Sequence, residues 1–175
     1  LGKHLVQKLA ARGDEVRALV WPPGTRSTLQ NLPVTILESD IQNANLVMQA
    51  VKGNDVVFHC AGKVDDWGPR NEFYRVNVDG TRNMLEACRV TGVKHFIHIS
   101  SLAVLGIPET APVNETMPCT TKPFTPYMET KLVSEKLVLE YHNERKLPVT
   151  IIRPGILWGP GDTSIFPRLE RLAST

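Results

Sequence analysis

The stretch "DVVFHCAG" at 55–62 runs almost unbroken through apolar residues and stops at a small one. It constrains the fold more than any other feature. A strand with one wet face alternates apolar and polar residues, whereas a strand in a parallel sheet is buried on both faces and reads as continuous. The stretches "KHFIHISS" (94–101) and "PVTIIRPG" (148–155) repeat the pattern, and "EVRALV" (15–20) and "VTILES" (34–39) are shorter versions. Between them, apolar residues fall at helical spacing in "GKHLVQKLAARG", in Asn43 to Lys52 closed by Gly53, in "NEFYRVNVDGTRNMLEACRVTG", and in "TPYMETKLVSEKLVLEYHNERK". Pro22-Pro23-Gly24 forces a loop after the first strand. Strands alternating with helices predict an α/β fold: a right-handed, mostly parallel sheet with helices on both faces.

The 175 residues, 42% of them hydrophobic, suffice for one globular domain with a sizeable core. The 20 basic and 18 acidic side chains are scattered, so neither nucleic acid nor an anionic membrane is implied as partner. Cys60, Cys88 and Cys119 are odd in number and lack C-x-x-C spacing, which argues against a disulfide framework or a zinc site and fits a reducing cytoplasm. Every apolar run is shorter than the roughly 20 residues of a membrane span, and no signal peptide opens the chain. The expectation is a soluble cytoplasmic protein without a membrane span. The chain opens on Leu1-Gly2, directly into a helix, which reads as a segment missing upstream.

Ligands of parallel sheets bind at the carboxyl ends of the strands. Those ends carry Trp21, Asp40-Ile41, Ala61-Gly62, Ser100-Ser101 and Arg153-Pro154-Gly155. The last helix is capped by Thr125, with Pro126 in its first turn, and places Tyr127 and Lys131 on one face, one turn apart. A phenol with an ordinary pKa of about 10 is a poor base at neutral pH unless a cation stabilises the phenolate. Lys131 is placed to do so and to reach a ribose hydroxyl. A Tyr-x-x-x-Lys pair alone is weak, and Ser100-Ser101 alone reads as a strand end. Serine, tyrosine and lysine in that order on such a sheet point to hydride transfer, with serine donating to the reacting oxygen and tyrosine moving the proton.

The sequence resembles the extended branch of the short-chain dehydrogenase/reductase superfamily: NAD(P)-dependent epimerases, dehydratases and hydroxysteroid-type dehydrogenases. The resemblance covers essentially the whole chain, through "ESDI", "HCAG", "NVDGTRNMLEAC", "HISSLAVLG", "YMETK" and "RPGILWGPGD". It implies a Rossmann-type doubly wound sheet, with Ser101, counted back from Gly106, as catalytic serine beside Tyr127 and Lys131. It implies cofactor contacts from Gly2, Asp40, Ile41, Ala61, Gly62, Lys131 and Pro154, and places Ser100, Trp67, Gly155 and Ile156 near substrate. Asn77 matches a ribose-proximal asparagine, though a cap or satisfied turn residue reads equally well. Gly2 matches the last glycine of the family's phosphate loop. The first strand, the earlier glycines and the C-terminal substrate region are then absent, making residues 1–175 a fragment of an NAD(P)-binding domain. Homodimerisation through the Tyr-bearing helix is implied by resemblance alone.

Leu105 and Ile156 stand where nucleotide-sugar enzymes of the family carry tyrosine and asparagine, so a more apolar carbonyl or alcohol fits better as the small-molecule substrate. The motif 153–162 looks most like the hydroxysteroid dehydrogenase and dihydroflavonol reductase side of the branch. The strand "EVRALV" ends at Trp21 without the acid that selects NAD, and with Arg17 and Arg26 nearby the reading leans to NADP. His59, His95 and His98 lack metal-ligand spacing and read as structural. Trp67 falls in a loop beside the active site, where it is placed to face substrate, and Phe73 and Tyr74 pack on the following helix. The leading expectation is an NAD(P)-dependent oxidoreductase. A nucleotide-sugar epimerase or dehydratase and a non-catalytic dinucleotide sensor or scaffold stand as alternatives.

Overall fold

The computed structural model describes residues 1–22, 26–65, 67–106, 112–160 and 173. Asp66 and the last two residues of the 153–162 motif lie outside them, as do Pro23 and Gly24. The order is α1 (Gly2–Arg12), β1 (Arg17–Val20), β2 (Thr35–Glu38), α2 (Ala44–Val51), β3 (Val56–His59), α3 (Arg70–Phe73), α4 (Gly80–Thr91), β4 (His95–Ile99), α5 (Pro126–Arg145) and β5 (Val149–Ile152). All strand pairs are parallel, β1 with β2 and β4 with both β3 and β5. Each expected strand is present, shorter at its ends than the apolar run that signals it.

The strands fall into two sheets, β1-β2 and β3-β4-β5. A cavity of about 1020 Å³ opens between them, walled by β1 on one side and β3 on the other, with α1 alongside. The main core lies on the far side of the three-stranded sheet, where Val47 of α2, Leu85 and Cys88 of α4, Phe96 of β4 and Val138 of α5 are each fully buried. Burial holds the Cys88 thiol up at about 12, as for a small hydrophobe. On the opposite face, Leu1 and Leu5 share a small apolar cavity with Phe58, Ile99 and Ile152. Helices therefore cover both faces, as expected of a Rossmann-like sheet.

Local chemistry sets the helix starts. Thr125 caps α5 by accepting from the Met128 N–H at 3.1 Å, and Asn43 caps α2 by accepting from the Leu46 N–H at 3.2 Å. Pro126 occupies the first turn of α5, where its missing N–H has no intrahelical partner to lose. The expected single helix over 71–92 is instead three segments: α3, a π-helical stretch from Tyr74 to Asp79, and α4. Apolar spacing does not reveal the wider turn, because a π segment inserts one residue into an otherwise continuous helix. Its consequence is positional, since Asn77 sits in that stretch and is 2% exposed.

At the end of the π stretch, Gly80 lies against the loop after β2. A Cβ there would overlap the Cγ1 and Cδ1 atoms of the buried Ile41. Gly80→Ala is expected to lower stability by roughly 1–2 kcal/mol even after the gain of about 1 kcal/mol in helix propensity. Ile41→Val in the same chain should recover part of the loss, read as a double-mutant cycle of urea midpoints. Additive effects would show that the two residues do not meet.

Candidate functional site

The carboxyl ends of β3 and β4 and one face of α5 converge on a buried ammonium. Lys131 is 5% exposed, and its Nζ donates to the backbone oxygen of Ile99, the last residue of β4, at 2.9 Å. Burial pulls its pKa down to about 8, against the opposing influence of Cys60 and Glu135. Tyr127 is half-buried one turn earlier on α5.

The loop after β3 passes over this group. A Cβ on Gly62 would stand 3.4 Å from Lys131 Nζ and 3.2 Å from Asn77 Oδ1, so only a residue without a side chain leaves this space open. Asn77 fixes the loop: its Oδ1 accepts from the Lys63 N–H at 2.8 Å, and its Nδ2 donates to the Lys63 oxygen and to Thr130 Oγ1, each at 3.0 Å. The amide thereby joins the β3 loop to α5. Ala61 is exposed beside it.

After β2, Asp40 accepts from the Gln42 N–H at 2.9 Å and from Gln42 Nε2 at 2.8 Å, closing a local turn. Ile41 is buried under Gly80, and Asn83 Nδ2 donates to the Ile41 and Gln42 oxygens at 3.0 and 3.2 Å. Gly2 lies beside Cys60, where a Cβ would make ordinary contact at 3.7 Å. Burial raises the Cys60 thiol pKa, partly offset by Lys131. Gly2, Ser39, Ile41, Ala61 and Gly62 all line the large cavity.

Ser101 caps the 3-10 turn that follows β4, its Oγ accepting from the Ala103 N–H at 3.1 Å. Ser100 is 3% exposed, and among the described residues its Oγ has no hydrogen-bond partner. Pro154 accepts from the Leu102 N–H at 2.9 Å, which ties the strand ends of β4 and β5 together, and a Cβ on Gly155 would touch Leu102. Trp67 and Ile156 are 72% and 77% exposed on their loops. Phe73 packs in the core as expected, whereas the Tyr74 hydroxyl leaves it to donate to Glu129 Oε1 at 2.8 Å.

Arg17 does not serve the cofactor end of β1. Its Nη1 donates to the oxygens of Ala50 and Lys52 at 3.2 and 2.8 Å, where the carbonyl end of α2 attracts a cation. The Arg26 side chain lies outside the described residues, and Trp21 is exposed.

The sequence reading missed three supports: Asn83, Thr130, and the Arg70–Tyr74 pair that grips Glu129. Arg70 Nε donates to Glu129 Oε2 at 2.9 Å, and a second guanidinium nitrogen pairs with Oε1. This ion pair holds the Glu129 carboxyl below its ordinary pKa. Glu129 and Thr130 fall inside "YMETK", but their partners lie 53 to 59 residues away, where no local pattern points.

A model of the NAD dependent epimerase/dehydratase family matches residues 1–174. The chain is 31% identical to 2-alkyl-3-oxoalkanoate reductase of Shewanella oneidensis, covering 97% of this chain and 45% of the relative. It is 36% identical to the decarboxylating sterol-4-alpha-carboxylate 3-dehydrogenase of Bos taurus, covering 99% and 48%. Its fold superposes on UDP-glucuronic acid 4-epimerase from Bacillus cereus in complex with NAD, with a TM-score of 0.78, 30% identity, and coverage of 92% and 55%. The chain thus spans about half the length of the curated relatives it matches. No helix among the described residues is long and apolar enough to cross a membrane.

Beneath Lys131, His59 and His98 are each 1% exposed and stacked with ring centroids 5.5 Å apart. Burial, with Lys131 adding to it, lowers the His59 pKa to about 3. Burial, then His59 and Lys131, lowers that of His98 to about 2. The folded state therefore binds fewer protons than the unfolded chain below the unfolded value of about 6.5. Their contribution is fully favourable above that pH and is lost as pH falls toward the folded values, at up to about 2.7 kcal/mol per pH unit for the pair. Urea midpoints should drop steeply between pH 6.5 and 4.5, and His98→Gln should flatten the slope. An equally steep slope in that variant would place the acid sensitivity elsewhere.

Proposed function

The chain belongs to the NAD dependent epimerase/dehydratase family, and from that premise we propose that it is an NAD(P)-dependent oxidoreductase acting on a carbonyl or alcohol of a small, largely apolar substrate. The observation that carries the reading is the buried Lys131 ammonium, meeting Asn77 and Gly62 one helical turn from Tyr127. A dinucleotide fits these residues. Gly62 leaves open the space above Lys131, the loops bearing Ile41 and Ala61 follow the carboxyl ends of β2 and β3, and α1 has no acidic side chain in its first turn to repel a phosphate.

The nicotinamide ring supplies the hydride chemistry when bound. Tyr127 moves the proton to or from the reacting oxygen, Ser101 donates a hydrogen bond to that oxygen, and Lys131 lowers the cost of the phenolate while reaching the ribose. Asp40, Ile41 and Ala61 hold the adenosine half, and Gly2 and Pro154 complete the cofactor contacts. Ser100, Trp67, Gly155 and Ile156 stand nearest to substrate.

Two features support an apolar substrate. Exposed Trp67, Phe124, Ile156, Leu157 and Trp158 stand on loops at the carboxyl edge of the sheet, and the names of two relatives specify an alkyl oxoalkanoate and a sterol carboxylate. The absence of an acid at Trp21 favours NADP, although NAD is what the named structural neighbour holds. Residues 1–175 are taken as the dinucleotide-binding domain, with the gap between β1 and β3 the position of a further parallel strand. Exposed Val90 and Leu139 on α4 and α5 suit a homodimer through these helices. Likeness to the UDP-glucuronic acid 4-epimerase supports a second reading, epimerisation of a nucleotide sugar by the same three residues.

Tyr127→Phe separates chemistry from binding. With NADPH and a 3-oxoalkanoate or 3-oxosteroid as probes, turnover should fall by roughly 10²–10⁴-fold while dinucleotide affinity stays within about twofold. Undiminished turnover in this variant would refute the assignment. Conversion of a UDP-sugar to its epimer in the presence of NAD+, with no net change in absorbance at about 340 nm where reduced nicotinamide absorbs, would favour the epimerase.

A further inference from the structure

Two buried histidines that the proposed chemistry does not use form matching links between the sheet and the two helical turns that carry Asn77 and Lys131. His59 on β3 and His98 on β4 are register partners. His59 Nε2 lies 2.9 Å from Thr81 Oγ1, and Thr81 donates its own proton to the backbone oxygen of Asn77 at 2.7 Å. His98 Nε2 lies 3.3 Å from Ser134 Oγ, and Ser134 donates its proton to the backbone oxygen of Lys131 at 2.9 Å. A hydroxyl has one proton to give, so in both pairs the imidazole is the donor, held as its neutral Nε2–H tautomer. Each ring is left with a buried Nδ1 that has no partner among the described residues.

Burying an unpaired acceptor is unfavourable, and an apolar side chain would fill the same volume without it. Both rings nevertheless spend their one N–H on a helix hydroxyl. Both hydroxyls turn back to a carbonyl three or four residues earlier, a local bond open to serine and threonine in helices. The two carbonyls belong to the residues whose side chains meet Gly62 at the crevice floor.

We propose that His59 and His98 are positioning residues, which through Thr81 and Ser134 fix the height of the Asn77 amide and the Lys131 ammonium at the crevice. The catalytic meaning of this rests on Lys131 acting beside Tyr127, whereas the positioning itself does not. If the His98 link is cut, the turn of α5 that carries Lys131 loosens and water reaches the ammonium. The groups facing Lys131 are His59 from β3, Cys60 just beyond it, His98 from β4 and Glu135 from α5. All of them stay in place when the link is cut at Ser134.

The test follows the Lys131 resonance in chain labelled with ¹³Cε-lysine, identified by its loss in Lys131→Met, and the exchange of the Asn77 side-chain amide protons. The parent should titrate near 8. In His98→Leu and Ser134→Ala the midpoint should rise by roughly one pH unit toward that of a solvated lysine, and His98→Gln, which keeps an N–H donor, should retain the parent value. In Thr81→Ala the Asn77 amide should exchange at least tenfold faster, with protection restored in Thr81→Ser. Ser134→Ala and Thr81→Ala keep the test open should a histidine variant fail to fold. Folded variants in which both readouts match the parent, with only a lower unfolding midpoint, would overturn the proposal and leave the histidines as packing. Neither readout needs dinucleotide or substrate, so an active Tyr127→Phe would sink the enzymatic reading and leave this result standing.

Discussion

The fold holds a lysine ammonium out of water at the end of a strand, and most of the polar architecture answers that constraint. A cation 5% exposed must be hydrogen-bonded and compensated, or it loses its proton. Here the Ile99 carbonyl accepts from it, and Cys60 and Glu135 hold its pKa up while burial pulls it down. The two opposing influences leave the group at about 8, below the ordinary lysine value.

Helix α5 distributes this constraint through the molecule. Successive positions on it each grip a different element. Glu129 holds Arg70 and Tyr74, and Thr130 accepts from Asn77. Lys131 bonds the end of β4, and Ser134 meets His98. Glu135, 2% exposed, takes a two-pronged bond from Arg153 just beyond β5, with Nε to Oε1 at 3.0 Å and a terminal nitrogen to Oε2 at 2.8 Å. Breaking a buried pair of this kind typically costs about 3–5 kcal/mol because a charge is left uncompensated. Sheet, loop and helix are thus locked together within two turns of Tyr127.

Much of this was legible in the sequence, for reasons that differ from element to element. Unbroken apolar runs specify parallel strands, and all five appear, although β2 and β5 contain no fully buried position. Thr125 and Pro126 fix the start of α5 by local capping chemistry, which needs no tertiary knowledge. The π stretch over Tyr74–Asp79 was not legible, because one inserted residue barely disturbs apolar spacing. Arg17 misled for a related reason. Position along a strand says which end a residue is near only after the strand's length is known, and a strand starting at Arg17 puts that side chain beside the carbonyl end of α2. The grip of Arg70 on Glu129 and of Asn83 on the Ile41 loop spans 41 to 59 residues and has no local signature. The candidate site was located by strand ends; the bonds that hold it together appear only in three dimensions.

The central claim is that a nicotinamide dinucleotide lies across the strand ends, from the Asp40–Ile41 turn to Lys131. Backbone hydrogen exchange in the presence and absence of saturating NADPH or NADH tests it most directly. The account predicts slower exchange in the Asp40–Gln42 turn, in the Ala61–Lys63 loop and in the first turns of α1, with α2 and the outer face of α4 unchanged. Unchanged exchange at all three sites with both dinucleotides would contradict it.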